Sequence, residues 1–137
     1  ASSAASDVYK RQAYVENDDT LRQVLEKIEY YKYSAMPVID RSGHYVGTIT
    51  EGDLLTKIKE EYTLNIRDAE NIPLKTIRRR MDNQPVRAHA VMEDLIDKAI
   101  NQNFVPVVDD NNIFVGIVTR RAIIQYLFNK EKHNENS

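Results

Sequence analysis

Thr50 and Asp53 are the residues whose types and spacing most clearly suggest chemistry. A threonine followed three residues later by a carboxylate, at the start of a helical apolar pattern, is typical of a helix capping box, in which each side chain accepts a hydrogen bond from the other residue's backbone N–H group. The same helical turn offers N–H groups to an anion, and a carboxylate there can accept the hydroxyls of a ribose. The spacing alone leaves both interpretations open.

A second version of this motif lacks the acid. Thr119 is followed by Arg120 and Arg121, and Ala122 stands where Asp53 stands in the first version. Two cations in a first helical turn are disfavoured by the helix dipole, by roughly 0.3–1 kcal/mol each. Either both arginines point into solvent, or a bound phosphate offsets this cost through forked hydrogen bonds. Ala122 weakens the case for a second site of the same kind.

The two motifs belong to a duplicated unit. Four landmarks of the first half recur 69 positions later, which is hard to obtain by chance. The matched pairs are Pro37 and Pro106, Asp40 and Asp109, Gly47 and Gly116, and Thr50 and Thr119. A duplicated unit of this size buries its apolar face against its twin, so we expect functional clefts at the junction of the two units.

Hydrophobic periodicity predicts the same order of elements in both halves. In the first half, strands are expected over 13–15, 35–39 and 44–49, with helices from 21 and from 50. The second half repeats this order between 86 and 128. The fold class is therefore α/β (α+β), with tandem β-α-β-β-α repeats. We expect a non-native or disordered leader over 1–12, repeats over 13–62 and 81–129, a connector over 63–80 and a flexible tail over 130–137.

Composition excludes several classes of function. The chain has 137 residues, 42% of them hydrophobic, and a net charge of −2, which gives no reason to expect a nucleic-acid partner. There is no cysteine, and the three histidines show no ligand spacing, so we expect no metal site. Apolar runs fall short of the roughly 20 residues of a membrane helix. No nucleophile–base–acid set can be assembled, so the chain is not expected to be an enzyme, and its predicted location is the cytoplasm.

The two apolar-Pro-Val-[Ile/Val]-Asp strands and the two Gly-apolar-apolar-Thr strand endings carry a resemblance to a known family. With its β-α-β-β-α order, the chain resembles the CBS-domain pair, or Bateman module. It looks most like small stand-alone CBS-pair proteins of Firmicutes, through the stretch 101–110 and the later Thr119, Arg120 and Arg121. The resemblance implies a pseudo-two-fold pair of repeats and a regulatory module without a cofactor, whose ligand is an adenine nucleotide. It also implies a homodimer.

The resemblance also assigns residues. It implies that Asp53 binds ribose, that Thr50 and Thr119 supply helix-start hydroxyls, and that Arg120 and Arg121 contact phosphate. The opening strand and the segments that precede the two prolines are expected to form the walls of the base pocket. For Met36 and Val105, core packing is the more common role. The expected wall residues are Ser34, Ala35, Met36, Pro37, Phe104, Val105, Ala13 and Tyr14.

We predict a non-catalytic sensor that binds an adenine nucleotide in the cleft between the repeats and signals to an unidentified regulated protein. AMP, ATP and cyclic di-AMP all stay open as ligands. The alternative is a ligand-free interaction and dimerisation module, in which Thr50 and Asp53 only cap a helix. Arg78, Arg79 and Arg80 in the connector are interpreted as a solvated turn, with contact to a phosphate or a partner protein as the alternative.

Overall fold

The computed structural model describes residues 4–9, 13–61 and 71–135. The chain divides into two compact units. The first comprises residues 13–82, and the second joins the N-terminal segment to the chain from Asn83 onward. Connector residues 71–80 therefore belong with the first unit, where Leu74 is buried and its backbone N–H donates to the Asp19 carbonyl at 2.8 Å. Residues 63–70 of the expected connector lie outside the described residues.

In its described residues, the first unit has a three-stranded sheet and two helices. Strand β1 pairs parallel with β2, and β2 pairs antiparallel with β3, giving the order β1-β2-β3. Its elements are β1 (Val15–Glu16), α1 (Leu21–Tyr31), β2 (Ala35–Ile39), β3 (Tyr45–Thr50) and α2 (Glu51–Glu61), followed by a short 3-10 turn at Leu74–Thr76.

The second unit repeats this architecture with the sheet order β4-β5-β6. Its elements are β4 (Val86–Arg87), α3 (Met92–Asn101), β5 (Phe104–Val108), β6 (Phe114–Thr119) and α4 (Arg120–Glu135). The registers also match, since Pro37 lies opposite Thr48 and Pro106 lies opposite Ile117. The predicted α+β class and the tandem order of elements are confirmed. Within the described parts of the chain, no helix is long and apolar enough to cross a membrane.

Helix α1 begins at Leu21, where the apolar periodicity predicts it. Thr20, and not one of the two aspartates before it, caps the helix through a reciprocal box with Gln23. The Asp19 carboxylate instead accepts the Glu16 backbone N–H at 2.9 Å and the Lys27 ammonium at 3.0 Å. Because Thr20 and Gln23 already satisfy the box spacing, Asp19 is left to fix the turn between β1 and α1.

The ends of the chain differ from the expected leader and tail. Ala5 lies in a 3-10 turn and is fully buried in the core of the second unit, and its backbone N–H donates to the Ala90 carbonyl at 2.8 Å. Residues 4–9 are thus not disordered, and a non-native origin of residues 1–12 stays a prediction. Helix α4 continues to Glu135 because lysine and glutamate favour helix, and because Lys132 and His133 in its last turn suit the helix dipole.

An aspartate organises each hairpin turn. The Asp40 carboxylate accepts backbone N–H groups from Ser42 at 3.0 Å and His44 at 2.9 Å, and Asp109 does the same for Asn111 and Ile113. The hydrogen bond from the His44 backbone, together with the His44 side chain and the Ser42 backbone, lowers the pKa of Asp40 below its ordinary value. These bonds explain why an aspartate recurs at this position of both repeats.

Candidate functional site in the first repeat

The capping box predicted at the start of α2 is present. The Thr50 backbone N–H donates to Asp53 Oδ2 at 3.1 Å, and the Asp53 backbone N–H donates to Thr50 Oγ1 at 3.1 Å. The register places Ala35, one of the expected wall residues, opposite Thr50. The Ser34 carbonyl accepts the Glu51 backbone N–H at 3.0 Å, so the segment before Pro37 lies against the start of α2.

Asp53 does more than cap its helix. Its second oxygen, Oδ1, accepts the Arg80 backbone N–H at 3.2 Å, and the residue is only 2% exposed. Both carboxylate oxygens are therefore anchored by backbone N–H groups from different segments. Each carboxylate oxygen has two acceptor positions, so the group keeps capacity for further hydrogen bonds.

A cavity of about 410 Å³ opens beside this carboxylate. Part of the lining is a face of α2, on which side chains three, four and seven residues after Asp53 align, and the rest comes from the connector. The lining residues are Asp53, Thr56, Lys57, Glu60, Arg78, Arg79 and Arg80. Four cationic side chains thus share the pocket with two carboxylates, which makes it suited to an anionic ligand.

The three connector arginines are functional candidates for which the sequence favoured a solvated turn over contact with a phosphate or a partner protein. Nothing in their spacing relates them to Asp53, although Arg80 contacts it across 27 positions. The structure instead brings them to the pocket wall. The available signal was the run of three cations itself, which becomes informative only once the connector is known to fold back onto the first unit.

Arg79 fixes the connector to the edge strand β3. Its Nε donates to Asp82 Oδ1 at 2.8 Å and its Nη2 to the Val46 carbonyl at 3.1 Å, while the Thr48 backbone N–H donates to Asp82 Oδ1 at 2.9 Å. A β-carbon on Gly47 would collide with both the Arg79 and the Asp82 side chains. The glycine therefore lets the connector cover backbone groups that an edge strand otherwise leaves unpaired.

The corresponding site of the second repeat is built differently. Thr119 Oγ1 accepts the Ala122 backbone N–H at 3.1 Å, which is half of a capping box. Arg120 donates to the carbonyls of Ala99 at 2.6 Å and Ile100 at 3.1 Å. The cation at the start of α4 thus lies on the last carbonyls of α3, where the helix dipole favours positive charge. This contact accounts for Arg120 without a phosphate, an arrangement the sequence did not suggest.

The remaining residues predicted to line the base pocket lie on the buried strands β2 and β5 or just before β1. Met36 and Pro37 lie within buried β2, and Phe104 and Val105 lie within buried β5, with Phe104 opposite Thr119. Ala13 is buried and Tyr14 is half-buried just before β1, with the Lys27 ammonium 5.8 Å from the Tyr14 ring centre. The structure shows Met36 and Val105 fully buried, as core packing requires. Among the described residues, no cluster of three or more histidine or acidic side chains could hold a metal ion.

The sequence model of the CBS domain family matches residues 5–60 and 69–129. The chain therefore belongs to the CBS domain family, and the predicted pair of CBS repeats is confirmed. The inosine-5'-monophosphate dehydrogenase of Methanocaldococcus jannaschii is 28% identical over 111 residues, which are 81% of this chain and 21% of that enzyme. The chain spans between about a fifth and about half of the length of the first curated relatives it matches.

Two solved structures illustrate the fold likeness. CbpB in complex with c-di-AMP superposes with a TM-score of 0.79 at 22% identity, covering 98% of this chain and 89% of CbpB. CBSX2 in complex with AMP superposes with a TM-score of 0.73 at 22% identity, covering 93% of this chain and 98% of CBSX2. At this level of identity, the likeness establishes the shared fold.

Proposed function

We propose that the chain is a non-catalytic regulatory module that binds an adenine nucleotide and signals the occupancy of its site to a partner protein. The observation that carries this proposal is the pocket of the first repeat, where the Asp53 carboxylate and several cationic side chains line one cavity. A carboxylate and adjacent cations are the complementary groups for a ribose and its phosphates.

Each part of a nucleotide has a counterpart in the proposed site. Asp53 would accept the ribose hydroxyls, and its burial would strengthen those hydrogen bonds by excluding water. Thr50 would contribute the helix-start hydroxyl, and backbone groups of Ser34 and Ala35 would meet the base. In the second repeat, Arg121 is exposed, and it remains with Thr119 and Arg120 as a proposed phosphate contact.

The ligand proposed is AMP, ATP or cyclic di-AMP. Two proteins that share the fold are solved with c-di-AMP and with AMP, and this supports an adenine nucleotide as the ligand class. Binding would regulate by population shift, since a ligand stabilises whichever conformation it binds more tightly. We propose that this takes place in a cytoplasmic homodimer, which signals to a regulated protein.

A melting experiment on the full chain tests the proposal. A ligand at a hundred-fold excess over its dissociation constant stabilises the folded state by about 2.7 kcal/mol. We expect AMP, ATP or cyclic di-AMP to raise the melting temperature, and the matched guanine nucleotides to have much less effect. If none of the adenine nucleotides shifts the melting temperature, the sensor proposal is wrong.

Specific observations favour a second candidate, a ligand-free interaction module. The complete capping box explains Thr50 and Asp53 without any ligand. Helix α4 also exposes Ile124, Leu127 and Phe128, which share one helical face, with Ile124 and Phe128 exposed by 66% and 65%. An exposed apolar face of this kind is typical of a protein–protein contact. Under this candidate, light scattering shows a dimer whose stability does not respond to nucleotides.

A further inference from the structure

Two of the three connector arginines, Arg78 and Arg80, have no counterion among the described residues, whereas Arg79 pairs with Asp82. Of the eight arginines that the structure describes, five have a hydrogen-bonding partner. These pairs are Arg22 with Glu26, Arg41 with Asp18, Arg79 with Asp82, Arg87 with Asp110, and Arg120 with the carbonyls of Ala99 and Ile100. Among the described residues, the side chains of Arg78, Arg80 and Arg121 have no such partner, and of these three Arg78 and Arg80 line the Asp53 pocket.

This lack of counterions is notable because carboxylates are close at hand. Asp53 and Glu60 line the same cavity, yet neither forms an ion pair with Arg78 or Arg80 within the described part of the chain. The Arg80 backbone N–H is bound to Asp53 Oδ1 at 3.2 Å, so the Arg80 side chain starts beside that carboxylate but leaves it. The four cationic side chains of the pocket outnumber its two carboxylates, so the exposed guanidinium groups of Arg78 and Arg80 add to a local positive potential that an anion would relieve.

The cavity is also elongated along α2. Asp53 and Glu60 are separated by seven residues, or about 10 Å along the helix, and both line the cavity. A ligand whose ribose lies at Asp53 can extend along this face of α2 past Lys57, in the cavity that the connector arginines also line. A single phosphate next to the ribose would fill only the near part of such a cavity, whereas a chain of phosphates would reach further along it.

We propose that Arg78 and Arg80 hold the phosphate chain of a linear di- or triphosphate, so that the pocket of the first repeat prefers ATP and ADP to AMP. The inference rests on the proposed function, because it takes Asp53 as the anchor of the ribose. Ligand selectivity would then come from residues outside the two repeat motifs. Arg79 has a different role, because its guanidinium is held by Asp82 and Val46.

The test is calorimetric titration of the full chain with ATP, ADP, AMP and inorganic tripolyphosphate. The parent should bind ATP at least ten-fold more tightly than AMP. Arg78→Gln and Arg80→Gln should each weaken ATP binding at least ten-fold and AMP binding less than three-fold, with an effect that shrinks at high salt. Arg41→Gln is the matched control, since it removes the same charge from an exposed ion pair outside the pocket and should leave ATP affinity unchanged.

The ligand-free arginine variants should melt within about 2 °C of the parent, because neither side chain has a partner to lose among the described residues. If ATP and AMP bind equally tightly and the two variants match the parent, the inference is overturned while the sensor function stands. If adenine nucleotides fail to bind but tripolyphosphate binds and depends on both arginines, the phosphate site stands and the adenine function is wrong. If neither kind of ligand binds, both are overturned.

Discussion

Replacing Asp53 by alanine tests how far one carboxylate supports the first repeat. The substitution removes the acceptor for the Thr50 backbone N–H, which is half of the capping box at the start of α2. It also removes the acceptor for the Arg80 backbone N–H, which holds the connector to this helix. Because Asp53 is buried, water cannot readily replace it as an acceptor for these two N–H groups.

The expected loss of stability follows from these two contacts. Loss of a cap costs about 1 kcal/mol, and loss of a hydrogen bond to a charged acceptor costs about 1.5–3 kcal/mol. Together they predict that Asp53→Ala lowers the free energy of unfolding by about 2.5–4 kcal/mol, which is more than capping alone would give. At roughly 4 °C per kcal/mol for a chain of this size, the melting temperature should fall by about 10–16 °C.

The assay is urea denaturation followed by circular dichroism, with Asp94→Ala as the matched control. Asp94 occupies the same third position of helix α3, but it is exposed, and its side chain has no hydrogen-bonding partner among the described residues. Its replacement should cost only the helix-dipole contribution, about 0.3–1 kcal/mol. If Asp53→Ala loses no more stability than Asp94→Ala, the proposed double role of the Asp53 carboxylate in the fold is refuted.

Three further substitutions test the local structure. Gly47→Ala should lower the free energy of unfolding by about 1–3 kcal/mol in urea titrations, because the new β-carbon displaces connector side chains from β3. The control is Gly52→Ala, whose new β-carbon would have its nearest contact at 3.7 Å, and this variant should be neutral or stabilising. Ala122→Asp should raise the melting temperature by completing the box that Thr119 half forms, and an unchanged or lower value would contradict this. Asp40→Asn should flatten the acid branch of the stability–pH profile, and an unaltered branch would contradict the proposed role of its carboxylate.

The sign of the Asp40 effect follows from the direction of its pKa. Hydrogen bonding lowers the pKa of the folded-state carboxyl, so its contribution to stability is present above the unfolded value of about 3.9. That contribution is lost as the pH falls through the lower folded-state value. The asparagine variant cannot be protonated there, so its stability should depend less on pH below about 4. Circular dichroism melts across the acid range measure the difference.

The sequence predicts those parts of the structure that depend on local patterns. The repeated prolines and glycines indicate the correspondence between the two halves, and the elements follow the predicted order in both. The two sheets also share their strand order and registers. The capping box at Thr50 and Asp53 was also predictable, since its two residues lie within one helical turn. Each of these features is specified by residues close in the chain or by internal comparison.

The parts that sequence reasoning missed depend on contacts between distant segments. Arg80 reaches Asp53 only because the connector folds back onto the first unit, and no residue spacing reveals that. Arg120 lies on the carbonyls that end α3, so its position depends on how two helices pack within the second unit. Ala5 is buried in the same unit although its neighbours in sequence form a small-residue run without periodicity.

An amide-resolved NMR titration with ATP tests the central claim most directly, because it reports both binding and its location. Binding in the Asp53 pocket should cause saturable chemical-shift changes for the backbone amides of Thr50, Asp53 and Arg80, since two of these N–H groups donate to the Asp53 carboxylate and the third to Thr50 Oγ1. GTP at the same concentrations should cause much smaller changes. Saturable shifts confined to residues outside the first repeat, or none at all, would contradict the claim that this pocket binds an adenine nucleotide.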